Sequence, residues 1–84
     1  MKEIKWQPKV TKQLKKLDRQ VKVRIFNAVQ SLTHFPDVQN VKKLSNHQYG
    51  YRLRVGNYRV LFNDHETINV IGIEEAKKRD ERTY

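Results

Sequence analysis

The sequence contains no cysteine, and it has only two prolines and three glycines among its 84 residues. Without cysteine it can form neither disulfides nor thiolate metal sites, which suits a reducing, cytoplasmic environment. No apolar run approaches the roughly 18 residues of a membrane span, and charges run through residues 1–20, so neither a membrane segment nor a signal peptide is expected. We expect one domain, residues 1–84, with a thin core, because a chain of about this size buries only about 60% of its unfolded surface.

Acidic residues are also scarce. The chain has 9 Asp and Glu residues against 18 Lys and Arg residues, which gives a formal net charge of +9. This excess implies a polyanionic partner, and nucleic acid is the first candidate. The histidines, His34, His47 and His65, have no metal-ligand spacing with one another or with a carboxylate pair, so no metal or cofactor is expected.

The first half of the chain shows helical periodicity. Ile4 and Trp6 alternate around Lys5 and predict a short strand that ends at Pro8. Apolar residues then recur at helical spacing in two segments. They are Val10, Leu14 and Leu17 in the first segment, and Val21, Ile25, Ala28 or Val29, and Leu32 in the second. Asp18 is a candidate N-cap for the second helix, and residues 37–48 are expected to form a polar connection.

The second half alternates with a period of two. Residues 51–55 and 58–62 predict two strands, and Gly56–Asn57 between them is a two-residue signal for a tight hairpin. The predicted pairs are Tyr51 with Phe62, Arg52 with Leu61, Leu53 with Val60, Arg54 with Arg59, and Val55 with Tyr58. A further strand is expected from Thr67 to about Glu74, after a turn at residues 63–66. The predicted fold is α+β, with the order β-α-α-β-β-β and a helical hairpin packed on a mainly antiparallel four-stranded sheet.

This hairpin places Arg52, Arg54 and Arg59 around Leu61 on one face, and its other apolar and aromatic side chains on the opposite face. Like charges directly opposite each other destabilise an antiparallel pair by up to about 1 kcal/mol. Two interpretations remain open. Either the arginines pair with acids nearby in the sequence (Asp64, Glu66 or Glu74), or the face binds an anion. The scarcity of acids, and the paired hydrogen bonds that guanidinium forms with phosphate, favour the second interpretation.

Lys42–Leu44, the hairpin at residues 51–62 and the ending Lys78–Tyr84 resemble the RelE branch of the RelE/ParE toxin superfamily. The resemblance covers essentially the whole chain, and the hairpin is its most specific part. It implies a toxin of a type II toxin–antitoxin system, a metal-independent endoribonuclease that cuts mRNA in the ribosomal A site by 2′-OH attack and so inhibits translation. Two alternatives stay open: a ParE-like toxin that inhibits a topoisomerase through protein contacts, and a non-catalytic basic RNA-binding domain.

The resemblance also implies roles for individual residues. The implied catalytic residues are Arg54, Arg59, Arg79 and Tyr84, and the expected RNA-binding residues are Lys43, His47, Arg52, Lys78 and Arg82. Arginine stays protonated, so Arg59 and Arg79 would stabilise the charge of the phosphorane. Tyr84, if held among guanidinium groups, would have a lowered pKa that suits a base at the 2′-OH. Lys78, Arg54 and a ribosomal contact all remain candidates to protonate the leaving oxygen.

A strongly basic protein with a thin core suits neutralisation by an acidic, partly disordered segment that orders on binding. The resemblance identifies that partner as a cognate antitoxin, through which the complex would bind operator DNA. The other expected partners are the ribosome and mRNA. No membrane partner is expected, and the expected location is cytoplasmic.

Overall fold

The chain follows the order β-α-α-β-β-β-β in a computed structural model that describes residues 1–78. The strands are β1 (Glu3–Trp6), β2 (Val41–Lys43), β3 (Tyr51–Val55), β4 (Tyr58–His65) and β5 (Val70–Lys78). The helices are α1 (Pro8–Lys15) and α2 (Arg19–Gln30). Short 3₁₀ turns at Ser31–His34 and Glu66–Ile68 follow α2 and β4.

Both helices form where the apolar spacing predicts them. Pro8 opens α1 with its fixed φ, and Val10, two residues further on, is fully buried. In α2 the stripe that includes Ile25 and Val29 is buried against the sheet. Asp18 occupies the N-cap position of α2, but its side chain makes no capping hydrogen bond. The prediction of Asp18 as the N-cap residue of α2 is therefore confirmed, although its side chain makes no capping bond.

The sheet has five strands in the order β1-β5-β4-β3-β2. Strand β1 pairs with β5 in parallel, and the other neighbours pair antiparallel. The α+β class and the mainly antiparallel sheet are thus confirmed, whereas the predicted count of four strands is one too low. The extra strand is β2, which lies inside the expected polar connection and pairs with β3 along its whole length.

The central hairpin has the predicted register. All five pairs between β3 and β4 form as expected, including Arg54 with Arg59. Gly56 has a φ of 56°, while Asn57 has no positive φ. A positive φ at the first turn residue alone is the glycine-first geometry of a two-residue hairpin. The turn therefore fixes which side chains share each face of the sheet.

Strand β5 lies further along the chain than predicted. Strand β4 continues to His65, so residues 63–65 are strand rather than turn. Asn69 ends the following 3₁₀ turn with a φ of 58°, a left-handed conformation that asparagine tolerates better than most residues. Strand β5 consequently begins at Val70 and extends to Lys78, which places more basic residues on the sheet than the sequence pattern predicts.

The core lies between the helices and one face of the sheet. Its fully buried side chains come from both helices, from the 3₁₀ turn after α2 and from strands β4 and β5, with Phe62 the largest of them. Phe35 meets Phe62 edge-to-face, with ring centroids 5.6 Å apart. No helix from residues 1–78 packs on the opposite face of the sheet, and the arginines lie on that face.

The hairpin geometry gives a direct stability test at Gly56. We expect Gly56→Ala to lower the free energy of unfolding by about 1–2 kcal/mol, the cost of a left-handed conformation for an L-residue. A Cβ atom there would also lie 2.8 Å from Nη2 of Arg24. Urea unfolding of the purified variant measures the loss.

The matched control is Gly50→Ala. Gly50 has no positive φ, and a Cβ atom there would lie 3.5 Å from Oδ1 of Asn63, an ordinary contact. We expect its free energy of unfolding to change by less than about 1 kcal/mol in either direction. Equal losses in the two variants would contradict the assigned turn.

Candidate nucleic-acid interface

Two rows of side chains cross the helix-free face of the sheet, because residues paired across neighbouring strands point to the same side. One row consists of Arg54, Arg59 and Lys77, which stand opposite one another on β3, β4 and β5. The other row runs from Lys42 through Arg52 and Leu61 to Glu75. We call these seven residues the basic face. Five of the seven are cationic.

The spacing within the basic face follows from strand geometry. Paired Cα atoms in an antiparallel sheet are about 4.5–5.5 Å apart, which sets the separation of Arg54 from Arg59. The two rows are two residues apart along each strand, or about 7 Å. Three guanidinium groups therefore lie within reach of a single phosphodiester, and Arg54 is the most exposed of them.

Arg52 carries an unusual hydrogen-bonding feature. Its Nε atom is buried and has no hydrogen-bond partner within residues 1–78. A buried donor without an acceptor costs about 1–3 kcal/mol. An anionic oxygen that accepted a hydrogen bond from this atom would remove that cost. Arg52 would then favour an anionic ligand in two ways, through its charge and through this hydrogen bond.

Neither Arg52 nor Arg54 forms an ion pair with an acidic side chain of residues 1–78. Asp64 instead pairs with Lys2 on the other side of the sheet, at 2.7 Å. The interpretation in which Asp64, Glu66 or Glu74 neutralises Arg52 and Arg54 is therefore wrong for the described part of the chain.

Glu75 is the single acid in the two rows and is only 8% exposed. Its Oε1 atom lies 3.5 Å from Nζ of Lys9 and 3.6 Å from Nζ of Lys77. Lys9 belongs to α1, so this carboxylate connects the helical layer to the edge of the basic face. Its charge is directed at two lysines, which leaves the potential around Arg52 and Arg54 positive.

The structure separates Lys43 and Lys78 from the arginines. Lys43 pairs with Tyr51 and Lys78 with Tyr58, and both tyrosines belong to the helix-facing side of the hairpin. Their neighbours Lys42 and Lys77 take the positions on the basic face. The sequence analysis missed these two residues.

Two local features place Lys42 and Lys77 on the basic face: a short strand and a β-bulge. Lys42 follows from a period of two once residues 41–43 are recognised as a strand. Lys77 depends on a shift in register, since Phe62 pairs with Ile73 while Leu61 pairs with Glu75. Glu74 is the extra residue, and this bulge reverses which side chains of the strand face the helices.

His47 lies beyond the far end of the hairpin from Gly56. Its Nδ1 atom accepts a hydrogen bond from the backbone N–H of Tyr49 at 3.1 Å. The backbone N–H of Gly50 donates to Oδ1 of Asn63 at 2.8 Å, which fastens this loop to β4. Asn63 is four residues from Arg59 along the strand, about 13 Å, so His47 is not brought together with the facing arginines.

Arg79, Arg82 and Tyr84 lie outside the described residues. Within residues 1–78, no group of three or more His, Asp or Glu side chains is placed to hold a metal ion. Over the same range, neither helix combines the length and hydropathy that crossing a bilayer requires.

The sequence matches a known family, described as "ParE toxin of type II toxin-antitoxin system, parDE", over residues 4–79. The chain belongs to this toxin family. No curated protein sequence matches the chain significantly.

Solved structures similar to this ParE-family toxin are RelE proteins. A chain of the archaeal RelE–RelB complex from Pyrococcus horikoshii OT3 is 27% identical, with a TM-score of 0.80 over 95% of this chain and 97% of that one. The isolated E. coli RelE toxin is 14% identical, with a TM-score of 0.81 over 96% of this chain and 87% of that one. A chain of the RelBE2 complex from Mycobacterium tuberculosis is 15% identical, with a TM-score of 0.78 over 93% and 98%.

The two likenesses below 25% identity establish the fold alone. The family match and the archaeal likeness confirm the predicted place of the toxin in the RelE branch of the RelE/ParE superfamily.

The repulsion between the facing arginines can be measured as stability. We expect Arg54→Gln to raise the free energy of unfolding by about 0.5–1 kcal/mol at low salt, because it removes a like-charge pair across two strands. The gain should shrink as salt is added, since the Debye length is only about 10 Å at 0.1 M. Urea unfolding at two salt concentrations tests both statements.

Lys5→Gln is the matched control, since it removes the same charge from an exposed strand position that stands opposite Gly72 rather than a cation. We expect no stability gain in this variant. A loss of stability in Arg54→Gln, or an equal gain in the control, would contradict the assigned repulsion.

Proposed function

We propose that this toxin is a metal-independent endoribonuclease that cleaves mRNA in the ribosomal A site and so blocks translation. The observation that carries the proposal is the row Arg54–Arg59–Lys77 beside Lys42 and Arg52, on the face of the sheet that no helix of residues 1–78 covers. A row of like charges across neighbouring strands does not stabilise a folded domain. The same row can bind the phosphates of an RNA backbone.

The proposed chemistry uses the nucleophile that RNA itself supplies. The 2′-OH attacks the adjacent phosphorus, a pentacoordinate phosphorane carries extra negative charge, and the 5′-oxygen leaves. Arg59 and Arg54 would donate hydrogen bonds to the phosphorane oxygens, because guanidinium stays charged and forms two parallel bonds to such oxygens. In this proposal Arg79 joins them, and Arg52, with its buried Nε, orients the strand.

The proton transfers need other groups. Tyr84 is the proposed base at the 2′-OH, in keeping with the RelE resemblance. Within residues 1–78, the basic face contains no histidine, and its single carboxylate, Glu75, is directed at Lys9 and Lys77. A site with so few proton-transfer groups depends strongly on alignment of its substrate. This supports the ribosome as the partner that positions the message.

A cognate antitoxin is the proposed inhibitor. Three of the similar structures are complexes of a RelE toxin with its antitoxin, and a net charge of +9 favours an acidic segment. An apolar groove of about 340 Å³ runs between α1 and α2. Trp6 and Phe26 stack in it with ring centroids 6.0 Å apart, and Lys15 and Lys22 line it.

The groove suits an amphipathic acidic helix, which would bury apolar side chains and pair its carboxylates with the lysines. We further propose that this complex binds operator DNA through the antitoxin and that the toxin acts in the cytoplasm, where ribosomes are found.

The proposal predicts a large effect of Arg59→Ala. Cleavage of message on purified ribosomes in single-turnover conditions should slow by about 10²–10³-fold, the loss that follows removal of one preorganised donor to an anionic transition state. Arg19→Ala, which removes an exposed charge at the start of α2, should cleave at the wild-type rate. Unchanged cleavage by well-folded Arg59→Ala would contradict the assigned role.

A second function is favoured by the matching family, whose description names ParE. A toxin that inhibits a topoisomerase through protein contacts has no need of Arg79 or Tyr84. We expect removal of residues 79–84 to abolish both RNA cleavage and growth arrest. Growth arrest that persists in the truncated toxin, with inhibited DNA supercoiling, would favour the topoisomerase target instead.

A further inference from the structure

A second basic site lies on the other side of the hairpin from the basic face. It is a pocket of about 230 Å³ between α2 and the hairpin tip. Its rim carries the polar side chains, namely Arg24, Asn57, Tyr58 and Lys78, and its floor is apolar, formed by Val21, Ile25 and Val55. We call this the tip pocket.

The fold itself brings these side chains together. Arg24 lies one turn from Val21 on α2, and Tyr58 pairs with both Val55 and Lys78 across the sheet. The Arg24 guanidinium packs against the turn, since a Cβ atom at Gly56 would lie 2.8 Å from its Nη2 atom. Glycine at this position thus serves two purposes: it adopts the positive φ and it leaves room for the guanidinium.

Neither Arg24 nor Lys78 forms an ion pair within residues 1–78, and no acidic side chain from that range lines the tip pocket. Arg24 and Lys78 are both exposed at the rim, where water weakens but does not remove the repulsion between like charges. An anion bound between them would relieve that repulsion.

We propose that the tip pocket binds a phosphate of the RNA strand, next to the nucleotides that the basic face holds. This proposal rests on the proposed function. Tyr58 and Arg59 are consecutive residues whose side chains point to opposite faces of β4, so a strand that bends round the hairpin tip would pass from one site to the other. Arg24 provides a fork for phosphate oxygens, Asn57 and Tyr58 provide further donors, and the floor fits a ribose.

The test measures binding to a 2′-O-methyl RNA decamer, which lacks the nucleophile and cannot be cleaved. Fluorescence anisotropy at several salt concentrations gives the dissociation constant and its salt dependence. We expect Arg24→Gln and Lys78→Gln each to weaken binding by about 3- to 10-fold and to reduce the salt slope by about 0.7, the value for one phosphate contact on a single strand.

Arg19→Gln is the matched control, because it removes the same charge from an exposed position on the same helix outside the pocket. It should leave both quantities close to wild type. Arg24 packs against the turn, so its substitution can also alter folding. Lys78 is exposed at the end of β5, so Lys78→Gln tests the pocket with little risk to the fold.

The outcomes separate this site from the proposed activity. Wild-type RNA binding in both pocket variants overturns the tip pocket, even if the toxin cleaves message. Weaker RNA binding in both variants of a toxin that never cleaves message supports the pocket and overturns the activity. Variants that bind an acidic antitoxin peptide more weakly, but the RNA decamer normally, assign the pocket to a protein partner and overturn the proposal.

Discussion

The two-residue turn at Gly56–Asn57 is the constraint on which the site depends. A two-residue connection allows one register between β3 and β4, and a shift by one residue would move every side chain to the other face. In the observed register the apolar residues meet the helices, and Arg54 stands against Arg59. The backbone pairing between β3 and β4 therefore does two things. It directs the apolar side chains into the core, and it places Arg54 beside Arg59. Core packing and the basic face are two consequences of one backbone geometry.

The cost of that arrangement explains several features around it. Neighbouring strands add Lys42 and Lys77 to the rows rather than acids. Glu75, the one carboxylate in the two rows, is buried and forms ion pairs with Lys9 and Lys77. Natural proteins tolerate local destabilisation of this kind where function requires it. With five cations and one carboxylate, the basic face has the composition of a surface that suits an anionic ligand.

Much of this architecture could be predicted from the sequence, for reasons that differ by element. The hairpin was predictable because its turn, its alternation and its register are all local. Strand β2 was not, because three residues, Val41–Lys43, are too few to show a period of two and form a strand only by pairing with β3. The positions of Lys77 and Lys78 were not predictable either, since the bulge at Glu74 is set by pairing between β4 and β5 and leaves no local signal. Residues that carry charge were thus easier to identify than the face on which each lies.

In the proposed function, the basic face binds and cleaves RNA that is being translated. The most direct test is to map the 5′ ends of cellular transcripts after brief expression of the toxin, beside the Arg59→Ala variant. If the toxin cleaves mRNA in the ribosomal A site, new 5′ ends should lie at a fixed position within codons of translated frames. Cells that express Arg59→Ala should show none of these ends. New ends that ignore the reading frame, equal cleavage in the variant, or growth arrest with intact messages would contradict the proposed function.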